Sequence, residues 1–171
     1  MSFVVETGAG LSNANSYASV AAADAYNADR GYTEWAALNT AAKQVALIRA
    51  TDYLEATYRS AWKGFKKSQE QALSWPRYNV FVEGFAVPDD TIPTAVVNAC
   101  IEMALKTLTY DQLIIDQQQR VIREKVDVIE TEYAEFSDPA QRYPQVNRIL
   151  VPYLVSSTSD SGFSQVRVVR T

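Results

Sequence analysis

A chain of 171 residues suits one domain, and an apolar fraction of 47% with a charged fraction of 21% gives that domain a core and excludes whole-chain disorder. The absence of histidine removes the side chain that most often serves as acid, base or metal ligand near neutral pH, and the single cysteine, Cys100, excludes an intramolecular disulfide. A formal net charge of −4 means that the molecule as a whole does not attract nucleic acid.

Phe3 to Glu6 reads as a short strand, broken by Thr7-Gly8-Ala9-Gly10. Ser19 predicts a cap on a helix from Val20 to about Arg30, with Ala22, Ala25 and Tyr26 on its inner face and Gly31 as its stop. Thr33 heads a short helical stretch to Leu38. Asn39 or Thr40 then caps a longer helix to about Tyr58, in which Leu47, Ala50, Leu54 and Tyr58 fall on one buried stripe. From Arg59 to Asp90 the helical period fades. Gly64, Pro76, Gly84 and Pro88 punctuate short aromatic runs there, the pattern of a loop-rich region with one or two short strands.

Pro93 opens another long helix, expected to reach about Gln117 and to bury Val96, Ala99, Cys100, Met103 and Leu108. Asp89 and Asp90 suit the positive end of its dipole. Val121 to Tyr133 has the pattern of an antiparallel ribbon, ended by Ser137-Asp138-Pro139, and a short helix from Pro144 to Leu154 turns Val146, Ile149 and Leu150 inward. Ser156 to Gly162 is a serine-rich linker, and Val166 to Arg170 has strong strand propensity. The expected fold class is mainly α: a small bundle of three to four main helices with a loop-rich insertion carrying short strands. It occupies residues 1–155, followed over 156–171 by a linker and an extended C-terminal segment. No run reaches the ~18 apolar residues of a membrane span and no cationic leader precedes an apolar run, so a cytosolic protein with no membrane partner is expected.

Candidate sites are few. Gly8-Ala9-Gly10 after a strand suggests a dinucleotide loop, but Asn13 stands where the third glycine belongs and a plain turn is the better reading. Cys100 has no histidine to activate it and reads as a small buried hydrophobe. Glu124, Asp127, Glu130, Glu132, Glu135 and Asp138 match no calcium-loop spacing and read as a solvated or contact-making face. No catalytic group, metal or cofactor is expected, and the chain reads as a binding protein, not an enzyme.

Residues 58–78 carry more. Arg59, Lys63, Lys66, Lys67 and Arg77 stand against one acid, Glu70, and are interleaved with Tyr58, Trp62, Phe65, Trp75 and Tyr78. Cations beside aromatic platforms are what single-stranded nucleic acid binding uses, and the candidate set is Trp62, Lys63, Phe65, Lys66, Lys67 and Trp75. The competing reading has Trp62 and Trp75 capping the helical core while the lysines are solvated. A further reading pairs the basic block (Arg59, Lys63, Lys66, Lys67, Arg77) with the acidic one (Glu124, Asp127, Glu130, Glu132) across a subunit–subunit interface, a head-to-tail contact that can close into a ring.

Several segments together carry a family resemblance. Val5-Glu6-Thr7-Gly8-Ala9-Gly10, Ala14 to Val20, Ala23-Asp24-Ala25-Tyr26 and Ala46 to Leu54 resemble the opening of tailed-phage head–tail connector (adaptor, or head completion) proteins. Trp62-Lys63-Gly64, Gln71 to Arg77 and Ile92 to Val96 continue the resemblance, which covers about residues 3–110. Sequences of this type also carry the label DnaT-like single-stranded DNA-binding protein. The resemblance implies a helical subunit, usually one of twelve, in a homo-oligomeric ring at the virion's head–tail junction, made in the host bacterial cytoplasm. Such a ring binds the portal protein, docks tail proteins and passes double-stranded DNA through its channel without specific binding. On that reading Phe163, Val166, Arg167, Val168, Val169, Arg170 and Thr171 would dock on the portal by adding a strand.

Overall fold

The structure, a computed structural model, describes residues 2–109, 122–126, 129–133 and 143–155. Helix α1 (Val20–Asp29) starts where Ser19 Oγ accepts the Ala22 N–H at 3.1 Å, and the chain leaves it through Gly31 at φ +70°. Its buried positions are Ala23 and Asn27, with Tyr26 half-buried, while the predicted Ala22 and Ala25 are exposed. Four of its first six residues are alanine, so the sequence offers no apolar contrast from which to pick the inner face. A single turn, α2 (Thr33–Ala36), buries Trp35, whose indole N–H reaches Asp24 Oδ1 at 2.7 Å.

Asn39 Oδ1 then accepts the Ala42 N–H at 2.9 Å and opens α3 (Thr40–Tyr58), with the predicted stripe of Leu47, Ala50, Leu54 and Tyr58 buried. The Pro93 carbonyl accepts the Val96 N–H at 2.9 Å, so Pro93 lies just ahead of α4 (Thr94–Thr109) and not in its first turn. Helices α3 and α4 form the central pair. Val96, Ala99, Cys100 and Met103 are fully buried between them and their neighbours, and Leu108 is half-buried. The helix expected beyond Thr109 lies outside the described residues.

The last described helix, α5 (Pro144–Leu150), packs on α4 through Val146 and Leu150 and passes into a 3-10 turn over Val151–Tyr153. The expected single helix to Leu154 divides there because Pro152 has no N–H to continue the α ladder. Tyr143 meets Tyr53 of α3 edge to face, ring centroids 5.3 Å apart.

Short strands complete the fold. Strands β1 (Phe65–Lys66) and β2 (Arg77–Tyr78) pair antiparallel, as do β3 (Phe81–Val82) and β4 (Phe85–Ala86). The ribbon expected over Val121–Tyr133 is present as β5 (Ile122–Val126) and β6 (Ile129–Tyr133), with Arg123 opposite Glu132 and Lys125 opposite Glu130 in register. The strand expected at Phe3–Glu6 is reduced to one parallel bridge, Val5 to Ser16, because the partner segment turns at once into α1. The architecture is therefore mainly α with short antiparallel hairpins. The proposed linker and C-terminal segment, 156–171, lie outside the described residues.

Candidate functional site

The β1–β2 hairpin sorts its side chains by the alternation of a strand. Phe65 and Tyr78 are register partners and share one side, where they are 58% and 47% exposed with ring centroids 5.6 Å apart and planes inclined at 35°. Lys66 and Arg77 share the other. Arg77 is buried, and its guanidinium donates to the carbonyls of Lys63 at 2.7 Å, Gly64 at 2.7 Å and Ser74 at 3.2 Å. Burial lowers its pKa. Gly64, at φ +66°, is what lets β1 come this close: a Cβ there would lie 2.3 Å from the Tyr78 carbonyl oxygen and 2.7 Å from Val80 Cγ2.

The β3–β4 hairpin turns through Glu83 at φ +52° and Gly84 at φ +85°, the paired positive φ values of a two-residue hairpin loop. Phe81 is 54% exposed and Phe85, beside the turn, 77%. The Lys63 ammonium bridges this hairpin to the C-terminal turn, donating to the carbonyls of Pro152 at 2.8 Å and Phe81 at 3.4 Å.

The other aromatic side chains of this segment form an inner layer. Trp62 and Trp75 are buried and meet edge to face at 5.8 Å; Tyr58 packs on Trp62 and Tyr153 on Trp75. The Trp75 backbone N–H donates to Tyr17 Oη at 3.2 Å, the Tyr17 hydroxyl donates to Glu55 Oε1, and the same carboxylate accepts from the Ser74 backbone N–H at 3.1 Å and the Ser74 hydroxyl at 2.7 Å. Burial, followed by the Glu55 charge, holds the Tyr17 phenol well above its ordinary pKa. Two members of the predicted stacking set are thereby corrected: Trp62 and Trp75 are core residues with no face open to a base.

The basic residues divide in the same way. Arg77 is internal. Lys66 Nζ donates to the Gln71 carbonyl at 2.8 Å, and burial, with the nearby Arg59 charge, lowers its pKa. Lys67 is exposed, its Nζ 3.5 Å from the Gly8 carbonyl, and exposed Arg59 makes no side-chain hydrogen bond to a described residue. Of the five predicted cations, Arg59 and Lys67 are the ones held least by the protein itself, and Arg77 cannot serve a surface contact. The side chains of Glu124, Asp127, Glu130 and Glu132, needed for the charge-paired interface, and all of Phe163, Val166, Arg167, Val168, Val169, Arg170 and Thr171 lie outside the described residues.

Phe81 and Phe85 escaped the sequence reading. Their signal was Glu83-Gly84 between two apolar dipeptides, an X-Gly pair at hairpin spacing. The glycine-rich loop is a turn, as expected: the Glu6 carboxylate accepts from the N–H groups of Gly8 and Gly10 at 2.9 Å and of Leu11 at 2.8 Å, so the protein's own anion fills the nest. Cys100 is fully buried, and burial pushes its thiol pKa up to about 11. Among the described residues no group of three or more acidic, His or Cys side chains is placed to hold a metal ion, and no helix is long and apolar enough to cross a membrane.

Across residues 1–171 the chain matches the family described as "Putative DnaT-like ssDNA binding protein", and it belongs to that family. No curated protein and no solved structure matches it. The match corrects the head–tail connector expectation, including adaptor, head-completion and portal-binding roles, a dodecameric ring around a DNA channel and virion assembly. The family that spans the whole chain is described by single-stranded DNA binding instead.

Proposed function

We propose that this member of the family binds single-stranded DNA on the outward aromatic face of the β1–β2 hairpin. The observation that carries the reading is the Phe65–Tyr78 pair, two large rings side by side and open to water where folding gains little from them. Unpaired bases offer such rings a π-face, and stacking contributes ~1–3 kcal/mol per base. Arg59 and Lys67 supply positive charge beside the hairpin, although the net charge of −4 opposes a polyanion at longer range. The role is that of a binding protein, and no chemical step is assigned to it.

The test is a titration of a labelled single-stranded oligonucleotide at low salt, followed by fluorescence anisotropy. The natural protein should bind, and a Phe65→Ala/Tyr78→Ala variant with an unchanged unfolding midpoint should lose most of that affinity. Equal binding by the two proteins would reject this face.

A further inference from the structure

We infer that the hairpin surface recognises the exposed faces of unpaired bases and makes few phosphate contacts. This deepens, and rests on, the single-strand binding proposed above. Three features of the molecule lead to it.

The first is how the cations are held. Lys63 and Lys66 point their ammonium groups at carbonyls of the protein itself, and Arg77 has all three guanidinium nitrogens directed to carbonyls inside the fold. A cation turned toward its own backbone is poorly placed to replace the counterions of a phosphate chain. Among the described cations of residues 58–78, that leaves Arg59, with Lys67 held loosely at 3.5 Å from the Gly8 carbonyl. Each phosphate neutralised on a single strand contributes about −0.7 to the slope of log affinity against log salt concentration, so two contacts give about −1.4, where five would give about −3.5.

The second feature is the ring geometry. Phe65 and Tyr78 stand 5.6 Å apart at 35°. A base sandwiched between two rings needs about twice the ~3.4 Å rise of a stacked strand, more than this gap provides. The pair is therefore one continuous platform on which bases lie from outside.

The third is that the polar side chains on the inner side of the hairpin are engaged within the protein. Arg77 and Gln71 are committed there: the Arg77 guanidinium donates to the Gly64 carbonyl, and Gln71 donates to the carbonyls of Leu73 at 2.9 Å and Pro76 at 3.0 Å. Rings that meet base faces tolerate sequence, so the surface distinguishes unpaired from paired strands. A duplex, with its base faces covered, offers it only phosphates.

The experiment compares an oligodeoxythymidylate with an abasic strand of the same length and backbone, titrated into the full chain over a range of salt concentrations. Loss of the bases should weaken binding about five-fold or more, the lower end of what one stacked base contributes, and the thymidylate slope should stay between about −0.7 and −1.5. Phe65→Tyr should bind as the natural protein does, whereas Phe65→Ala should bring the thymidylate affinity down toward that of the abasic strand. Equal affinity for the two strands, or a slope of about −3 or steeper, would overturn the inference and leave single-strand binding standing. No binding of either strand at low salt would overturn both.

Discussion

Two sets of aromatic residues alternate along residues 62–85 and meet opposite surroundings. Trp62 and Trp75 face inward, stacked edge to face, while Phe65, Tyr78, Phe81 and Phe85 face water. Ring hydrophobicity does not explain the division, since phenylalanine is among the residue types most often buried. The Gly64 approach, the Arg77 tether and the strand register do. They turn β1 and β2 so that Arg77 points in and the Phe65–Tyr78 pair points out. An apolar surface held outward by so many internal contacts is a feature of the fold, and binding is the use we propose for it.

The largest effect expected on that contrast comes from the inner layer. Trp75→Ala should cost about 3–5 kcal/mol in urea unfolding, because a fully buried ring leaves a cavity among Trp62, Tyr153 and Tyr17. A cost near zero would mean that Trp75 is not part of the inner layer. Arg77→Met should cost about 1.5–3 kcal/mol, the range for hydrogen bonds to a charged group, and should weaken DNA binding only through the platform's position. If binding fell with no loss of stability, Arg77 would be touching DNA and the inward assignment would fail.

One half-buried and one buried phenol give the contrast a pH dependence. Tyr26 donates to the buried Glu102 carboxylate at 2.8 Å, and burial followed by that hydrogen bond raises its pKa to about 12; Tyr17 is raised also. A raised folded-state pKa favours the neutral phenol, so its stabilisation is complete below the unfolded value of about 10 and is lost as pH rises through the folded one. Unfolding midpoints should therefore drop above about pH 10, and Tyr26→Phe should flatten part of the drop. A midpoint independent of pH across that window would count against the buried hydrogen bonds. The smallest effect belongs to the outer layer: Phe85→Ala should change stability by no more than about 0.5 kcal/mol, and a larger loss would place Phe85 in the core.

The helical frame was legible because its signals are local. Ser19 and Asn39 cap where their side-chain oxygens lie, and Leu47, Ala50, Leu54 and Tyr58 repeat at helical spacing. The inner face of α1 was not legible, since alanines look alike from every side. The site was legible in outline only. The mixture of cations and rings between residues 58 and 78 marked the region, but which rings face water depends on a two-residue register and on Gly64 meeting Tyr78, contacts that no short stretch encodes. The same long-range contacts took Arg77 out of the surface and Trp62 and Trp75 out of the stacking set.

The most direct test follows individual side chains by nuclear magnetic resonance as a single-stranded oligonucleotide is added. The ring protons of Phe65 and Tyr78 should shift upfield with saturation while the indole N–H of Trp75, in the inner layer, stays within a small fraction of that change. Movement of the Trp75 signal with Phe65 and Tyr78 left in place would contradict the account, because DNA would then be meeting the inner aromatic layer.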